Sequence, residues 1–263
     1  METVLDRIIE QKKKEVILLK ENKQRLQSTE YRKRSFIKKL QEADDLAIIT
    51  EFKRASPSKG IINDCLEPAV QAAIYEESGA SAISVLTDQS FFKGSFADLQ
   101  KIRKTVDLPI LCKDFIIDPL QIDAASASGA DVILLIAAAL EEPRLSELFQ
   151  YAESKGLEVL LEVHNQEELN KALKTSARLI GVNNRDLKTF QVSLDVTEAL
   201  AAEVIKSGAY LISESGIHQK KDAERVRNAG ANGILVGEAF MTSNDVKKAF
   251  RDLRLPLQKE AGK

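Results

Sequence analysis

An apolar run near the start of this chain, Leu46 to Thr50, closes on an acid and a base, Glu51 and Lys53, ahead of the turn-forming stretch Ala55-Ser-Pro-Ser-Lys-Gly60. Side chains alternate along a strand, so Glu51 and Lys53 share one face and Phe52 takes the other. Ionised groups are rarely buried without partners. Such a pair at the end of a core strand points to a cleft that handles protons or anions, a solvated pair at a frayed end being the plainer alternative. Later apolar runs end in a similar way: Lys113 follows Ile-Leu-Cys, Glu162 follows Leu-Leu, and Asn183, then Glu214 with Ser215, come further on. A lysine and a glutamate facing one mouth would be a donor and an acceptor for proton transfer. Burial disfavours the ammonium form and a facing carboxylate favours it, and the sequence leaves that balance open.

Bringing these ends to one mouth requires parallel strands. Eight short apolar runs are present, at 47–50, 82–86, 110–112, 132–136, 159–161, 179–182, 210–213 and 233–236, with their ends 21 to 36 residues apart and amphipathic stretches between them. Four of the runs follow a Gly-Ala pair, at Gly79, Gly129, Gly208 and Gly230, as expected where a helix ends in a left-handed glycine and a buried strand follows. Eight such units predict an α/β fold, a single (β/α)8 TIM barrel over 46–253; a doubly wound open sheet is the alternative. Residues 1–45 read as an N-terminal helical extension packed on the barrel, through Val4, Leu5, Ile8, Ile9, Val16, Leu19 and Leu40. The run Lys12-Lys13-Lys14 reads as a solvated helix face, and 254–263 as a frayed C-terminal tail.

The barrel reading gives the glycine motifs a role. Loops after the seventh and eighth strands of such barrels commonly cradle phosphate, because bare backbone amides and a helix N-terminus suit an anion. Ser213-Glu-Ser-Gly-Ile and Val236-Gly-Glu-Ala-Phe stand at those positions, with the Ser215 hydroxyl available, so a phosphorylated small molecule is expected. Phe91, Phe92 and Phe115 lie just past strand ends, where they pack in the core or wall an aromatic ring. His164 and His218 have no carboxylate or serine partner at a telling spacing and read as loop or helix-start residues.

Composition narrows the rest. A formal net charge of -2, from 38 basic and 40 acidic residues, argues against nucleic-acid binding as the main activity. The N-terminus has no secretory pattern, and no apolar stretch approaches the roughly 18 residues needed to span a bilayer, so a soluble cytoplasmic protein is expected. Cys65 and Cys112 lack metal or redox spacing and read as free thiols.

Taken together, the motifs resemble the indole-3-glycerol phosphate synthase family of phosphate-binding barrels over nearly the whole chain. The resemblance rests on Leu5-Asp-Arg-Ile-Ile-Glu-Gln-Lys-Lys-Lys-Glu-Val, Glu51-Phe-Lys-Arg-Ala-Ser-Pro-Ser-Lys-Gly, Ser84-Val-Leu-Thr-Asp and Phe91-Phe-Lys-Gly-Ser. It continues through Lys113-Asp-Phe, Leu160-Leu-Glu-Val-His, Gly181-Val-Asn-Asn-Arg-Asp-Leu, Ser213-Glu-Ser-Gly-Ile and Val236-Gly-Glu-Ala-Phe-Met. It implies closure of the indole ring of 1-(2-carboxyphenylamino)-1-deoxyribulose 5-phosphate with loss of carbon dioxide and water, with no cofactor and no metal.

On that resemblance Lys113 is the general acid for the ribulose carbonyl oxygen and Glu162 the base of the later dehydration, with Glu51 assisting. Lys53 holds anionic groups, and a second acid role is open to it. Asn183 and Glu214 orient the lysines and sugar hydroxyls, Ser56 and Arg185 contact a carboxylate or a lid, and Phe92 and Phe115 wall the substrate ring. Phosphate rests among Lys53, Ser215, Gly216, Gly237 and Glu238. A monomer without an obligatory protein partner is expected.

One position departs from some family members, which carry serine where this chain has Glu238; a carboxylate beside a phosphate would repel it, so Glu238 is expected to point outward and offer only its amide. Two other readings stand beside this one. An aldolase-type barrel would form a Schiff base on Lys113, and a catalytically silent barrel would only bind sugar phosphates.

Overall fold

The computed structural model describes residues 3–21, 31–243 and 245–258. Eight strands, all parallel, close on themselves: β1 (Ala47–Phe52), β2 (Ala82–Leu86), β3 (Ile110–Lys113), β4 (Val132–Ile136), β5 (Glu158–Val163), β6 (Leu179–Asn183), β7 (Tyr210–Glu214) and β8 (Gly233–Val236). The seam between β8 and β1 runs from Ala47↔Gly233 to Thr50↔Val236, so the cylinder is complete and the open-sheet alternative falls away. Two helices, α1 (Val4–Glu21) and α2 (Phe36–Gln41), precede the barrel. Outside it lie α3 (Pro68–Ser78), α4 (Phe96–Thr105), α5 (Pro119–Ala127), α6 (Glu142–Ser154), α7 (Gln166–Ala172), α8 (Asp195–Lys206) and α9 (Lys220–Asn228), then α10 (Glu238–Met241) and α11 (Val246–Leu253) after β8.

Three of the eight apolar runs coincide with their strands. The other five strands extend past them, so that Glu51, Lys113, Glu162, Asn183 and Glu214 are themselves paired in the sheet, as in Asn183↔Glu214 and Ile136↔Glu162. The backbone ladder continues wherever neighbouring strands continue, and it is indifferent to side-chain charge once that charge finds partners. Alternation then sorts the residues. Ile49, Leu111, Leu134, Leu160, Ile212 and Leu235 fill the cylinder, while Ile48 and Phe52 join the outer layer beneath the helices. The four Gly-Ala glycines all have positive φ, from 82° to 104°, which ends each helix where a residue with a Cβ would be strained.

The extension treats the two rims differently. At the lower rim α2 acts as a stopper: Phe36 and Leu40 are buried against the barrel interior, each contributing about 2 kcal/mol by apolar burial. Glu158, at the start of β5, accepts from the Phe36 and Ile37 amides at 2.9 and 3.1 Å and receives the Ser35 hydroxyl. At the upper rim α1 docks through Lys12, which contradicts the expectation of a solvated lysine face. Lys13 and Lys14 are exposed, but Lys12 is only 1 % exposed, with Nζ 2.8 Å from Asp88, 2.7 Å from Asp114 and 2.8 Å from Glu15. One turn of helix gives each lysine a different neighbour, and the central face of α1 meets the loops after β2 and β3.

The tail also differs from expectation as far as it is described. Leu46 N donates to Leu255 O at 2.7 Å, Leu257 N donates to Asp44 O at 2.9 Å, and Leu253 and Leu255 are buried, so the chain after α11 is stitched to the segment entering β1. Residues 259–263 lie outside the described residues.

Candidate active site

At the upper rim the inward positions of five strands change from aliphatic to polar; Glu51, Lys113, Glu162 and Asn183 line one cleft enclosing about 980 Å³ when its open mouth is counted, and Glu214 lies buried beneath it against Lys113. On β1, Ile49 fills the interior, and Glu51 and Lys53 continue the same face upward. Lys113 is the centre. Its Nζ lies 2.6 Å from Glu214 Oε2 and 3.5 Å from Glu51 Oε1, and Glu162 adds its charge from β5. Lys53 pairs with the other oxygen of Glu51.

The balance left open by the sequence is now decided. Burial alone would lower the Lys113 pKa, but Glu214, Glu51 and Glu162 outweigh it and hold the amine as ammonium well above its ordinary range. The three carboxylates are not alike. Burial pushes Glu51 up, yet Lys53 and Lys113 overcome it and the group stays below the usual carboxylate value. For Glu162 burial is again overcome, here by His164, Lys113 and Asn183, and its pKa falls to about 2. Glu214 goes the other way: burial, reinforced by the charges of Glu162 and Glu51, outweighs Lys113 and raises it to about 7. One buried oxygen of Glu214, Oε1, has no hydrogen-bond partner among the described residues.

Two glycines make room for these acids. A Cβ on Gly181 would come within 2.2 Å of Glu214 Oε1, and one on Gly237 within 2.5 Å of Glu51 Oε2. This gives glycine at 237 a packing reason beside the expected bare amide. Neither Gly237 nor Gly216 lines the cleft, and Gly216, at φ 84°, packs against Val192 instead.

The other expected residues divide as follows. Ser56, Phe92, Phe115 and Arg185 all line the cleft, and the Phe92 and Phe115 rings tilt against each other with centroids 5.8 Å apart. Phe91 does not reach it; its amide, like that of Phe92, is tied to Asp88 Oδ1. Ser215, in a left-handed conformation at φ 66°, donates its hydroxyl to Asn183 Oδ1 at 2.8 Å and so fixes which end of that amide faces Glu162. Glu238 does not point away: its carboxylate lies on the cleft wall, 2.5 Å from Lys59 Nζ, and that cation keeps it ionised. A short antiparallel hairpin, Ala55–Ser56 with Gly60–Ile61, carries Lys59 over the mouth.

Three residues escaped sequence reasoning. Asn184 is 1 % exposed and staples β6 to β7, donating to Ser213 Oγ and to the Glu214 and Ser215 carbonyls. Lys59 was seen only as part of a turn. His164, expected to lack partners, sits between two carboxylates, Glu162 and Glu168. A signal was present in Glu-Val-His, because residues two apart at a strand end share a face.

A closed (β/α)8 barrel whose upper rim gathers two lysines, three glutamates, an asparagine and an aromatic pair belongs to the class of barrel enzymes that act on a small molecule by proton transfer. Among the described residues, no helix is long and apolar enough to cross a membrane and no cluster of three or more His, Cys, Asp and Glu side chains is placed to hold a metal. A sequence profile described as indole-3-glycerol phosphate synthase matches residues 5–253. Proteins named indole-3-glycerol phosphate synthase are similar over 97 % of this chain: one from Bacillus cereus (strain G9842), 50 % identical with 99 % of its length covered, and one from Oceanobacillus iheyensis, 51 % identical with 98 % covered. The chain belongs to the indole-3-glycerol phosphate synthase family. In the fold alone it is similar to a thiamine phosphate pyrophosphorylase from Pyrococcus furiosus, with a TM-score of 0.58 at 22 % identity over 79 % of this chain and 93 % of that one.

Proposed function

We propose that this barrel performs its family's reaction, closing the indole ring of 1-(2-carboxyphenylamino)-1-deoxyribulose 5-phosphate with loss of carbon dioxide and water, and that the residues gathered around Lys113 carry it. The reading is carried by one observation, the ammonium of Lys113 held among three carboxylates beside an aromatic pair. Ring closure makes the ribulose carbonyl oxygen strongly basic while the benzene ring briefly loses aromaticity. An ammonium kept protonated until then, and surrendering its proton only to that stronger base, suits the step. Phe92 and Phe115 wall the anthranilate ring, and Arg185 with Ser56 receives its carboxylate, whose loss as carbon dioxide restores aromaticity.

For the dehydration, Glu162 removes the proton, with Glu51 assisting and Lys53 the second cation. Glu214 holds Lys113 in place, and Asn183 orients Glu162 and the sugar hydroxyls. The phosphate rests by Lys53 and Ser215, near the backbone of Gly216, Gly237 and Glu238, with Lys59 above it. The Schiff-base alternative asks for a neutral amine, and the surrounding carboxylates oppose one at Lys113.

We take the enzyme to be a cytoplasmic monomer without an obligatory partner, which light scattering on the purified chain checks. The domain division follows the same reading: an extension over 1–45, a barrel over 46–253 and a tail beyond. The deciding experiment is incubation with the carboxyphenylamino-deoxyribulose phosphate while indole fluorescence is followed. Wild type is expected to produce the signal and Lys113→Met to lose it. A Lys113→Met protein that still turns over would end the assignment.

A further inference from the structure

His164 lies just past the end of β5, two residues after Glu162, and behind that carboxylate rather than in the cleft. Its Nε2 is 3.3 Å from Glu162 Oε1, within ion-pair reach although off the line of a good hydrogen bond, and its Nδ1 is 2.9 Å from Glu168 Oε2. Glu168 is anchored in turn. The His164 amide donates to Oε2 at 2.8 Å, the Asn165 side-chain amide donates to Oε1 at 2.7 Å, and Glu168's own amide is capped by Asn165 Oδ1 at the start of α7.

A neutral imidazole has one N–H and one lone pair, and a lone pair aimed at a carboxylate is repelled. With a carboxylate at each nitrogen, the ring is at rest only when both nitrogens are protonated. Burial opposes that charge, and the two glutamates outweigh it.

We propose that His164 is a positioning residue for the ring-closing chemistry: an imidazolium clamped by Glu168 that keeps the Glu162 carboxylate ionised and turned toward Lys113. The proposal rests on the reading of Glu162 as a catalytic base. The cleft needs this third cation because Glu162 faces Lys113 from β3, Asn183 from β6 and Glu214 from β7, while Lys113 is already shared with Glu214 and with Glu51 from β1. Three acids meet Lys113, Lys53 and His164, and Glu214 already inclines toward its protonated form; without His164 the least costly response is for Glu162 to take a proton as well. A capping role alone would use only the His164 amide, and would leave the ring free to be any residue.

The test pairs kinetics with spectroscopy on the full chain. His164→Gln is expected to lower kcat about tenfold or more at neutral pH with KM nearly unchanged, and to move the acidic limb of the pH–rate profile upward by about one unit. Glu168→Gln should shift the limb in the same direction by less, and added imidazole should restore part of the activity of His164→Gly. In the wild-type enzyme, nitrogen-15 spectra of the ring should show both nitrogens protonated at pH 8. An unchanged pH profile in His164→Gln, or a wild-type ring that titrates near 6.5, would overturn the proposal, and the second measurement stands even if the variants fail to fold. Glu162→Gln separates the two readings: if it retains full turnover, the role of Glu162 is lost, whereas a collapse there with an unaffected His164→Gln removes only His164.

Discussion

Lys12 and Lys113 are both lysines sunk among acids, and they stand on opposite sides of one stretch of chain. Lys12 reaches from α1 to Asp88 and Asp114, the latter the residue next to Lys113. The acids around Lys12 are occupied: Asp88 Oδ1 takes the Phe91 and Phe92 amides, and Asp114 Oδ2 takes the Thr87 hydroxyl at 2.5 Å. Around Lys113 the arrangement is unfinished: one oxygen of Glu214 has no hydrogen-bond partner among the described residues, and Glu51 and Glu162, both shifted down, open onto a cleft above a Glu214 shifted up. A buried charge is therefore no sign of chemistry by itself; the sign is capacity left over after the internal pairings are made.

The sharpest break of the comparison replaces each lysine by methionine. Lys113→Met should lower kcat by about a thousandfold or more while its urea midpoint stays close to wild type, because cleft water and carboxyl protonation relieve the remaining acids. Lys12→Met should do the reverse, costing about 3 to 5 kcal/mol of stability because two aspartates are left buried without their cation, with kcat of the folded enzyme within about tenfold. Equal catalytic collapse in both would erase the distinction.

Next comes Gly181→Ala, whose new methyl must displace Glu214 Oε1. Misplacing one carboxylate by about an ångström should cost about a hundredfold in kcat with little change in thermal midpoint, and a midpoint loss without kinetic loss would assign the glycine to packing. A smaller effect should appear in pH titration of stability. The folded-state pKa of Glu214 is raised to about 7, so the stabilisation it gives is fully present below the ordinary value of 4.5 and is lost as pH rises through 7. Denaturant titrations should thus find the enzyme more stable at pH 5 than at pH 8 by roughly 2 kcal/mol attributable to this group, and Glu214→Gln should remove it. The smallest change is Glu238→Ser, which frees Lys59 for the substrate phosphate. KM should stay equal or fall by about twofold, and a large rise would show that Glu238 helps to hold the mouth together.

Most of the barrel was legible because it is written in local rules. Strand runs, Gly-Ala helix ends and the Glu, Lys or Asn closing five of the eight runs depend on neighbours a few positions away, and they located Glu51, Lys113, Glu162, Asn183 and Glu214. What escaped depends on contacts between distant segments. Nothing near Lys12 distinguishes it from Lys13, because the difference is made by Asp88 and Asp114. The sequence after α11 looks like a loose end until Asp44 and Leu46 are seen beside it. His164 is the instructive middle case: its link to Glu162 follows from alternation, but Glu168 becomes its second neighbour only because Asn165 starts a helix there.

The seam between β1 and β8 has a bearing on how the chain reaches this state. The strand that shuts the cylinder is made after the other seven, and it pairs with the first. Until it arrives, a nascent chain carries a curved, incomplete sheet with two bare margins and an unroofed lumen, the kind of surface on which strands of other molecules settle. Because Leu255 and Leu257 then hook onto the stretch leading into β1, the same late event both closes the wall and ties down its base. Refolding of this enzyme should accordingly be slow, limited by a long-range encounter, and sensitive to protein concentration.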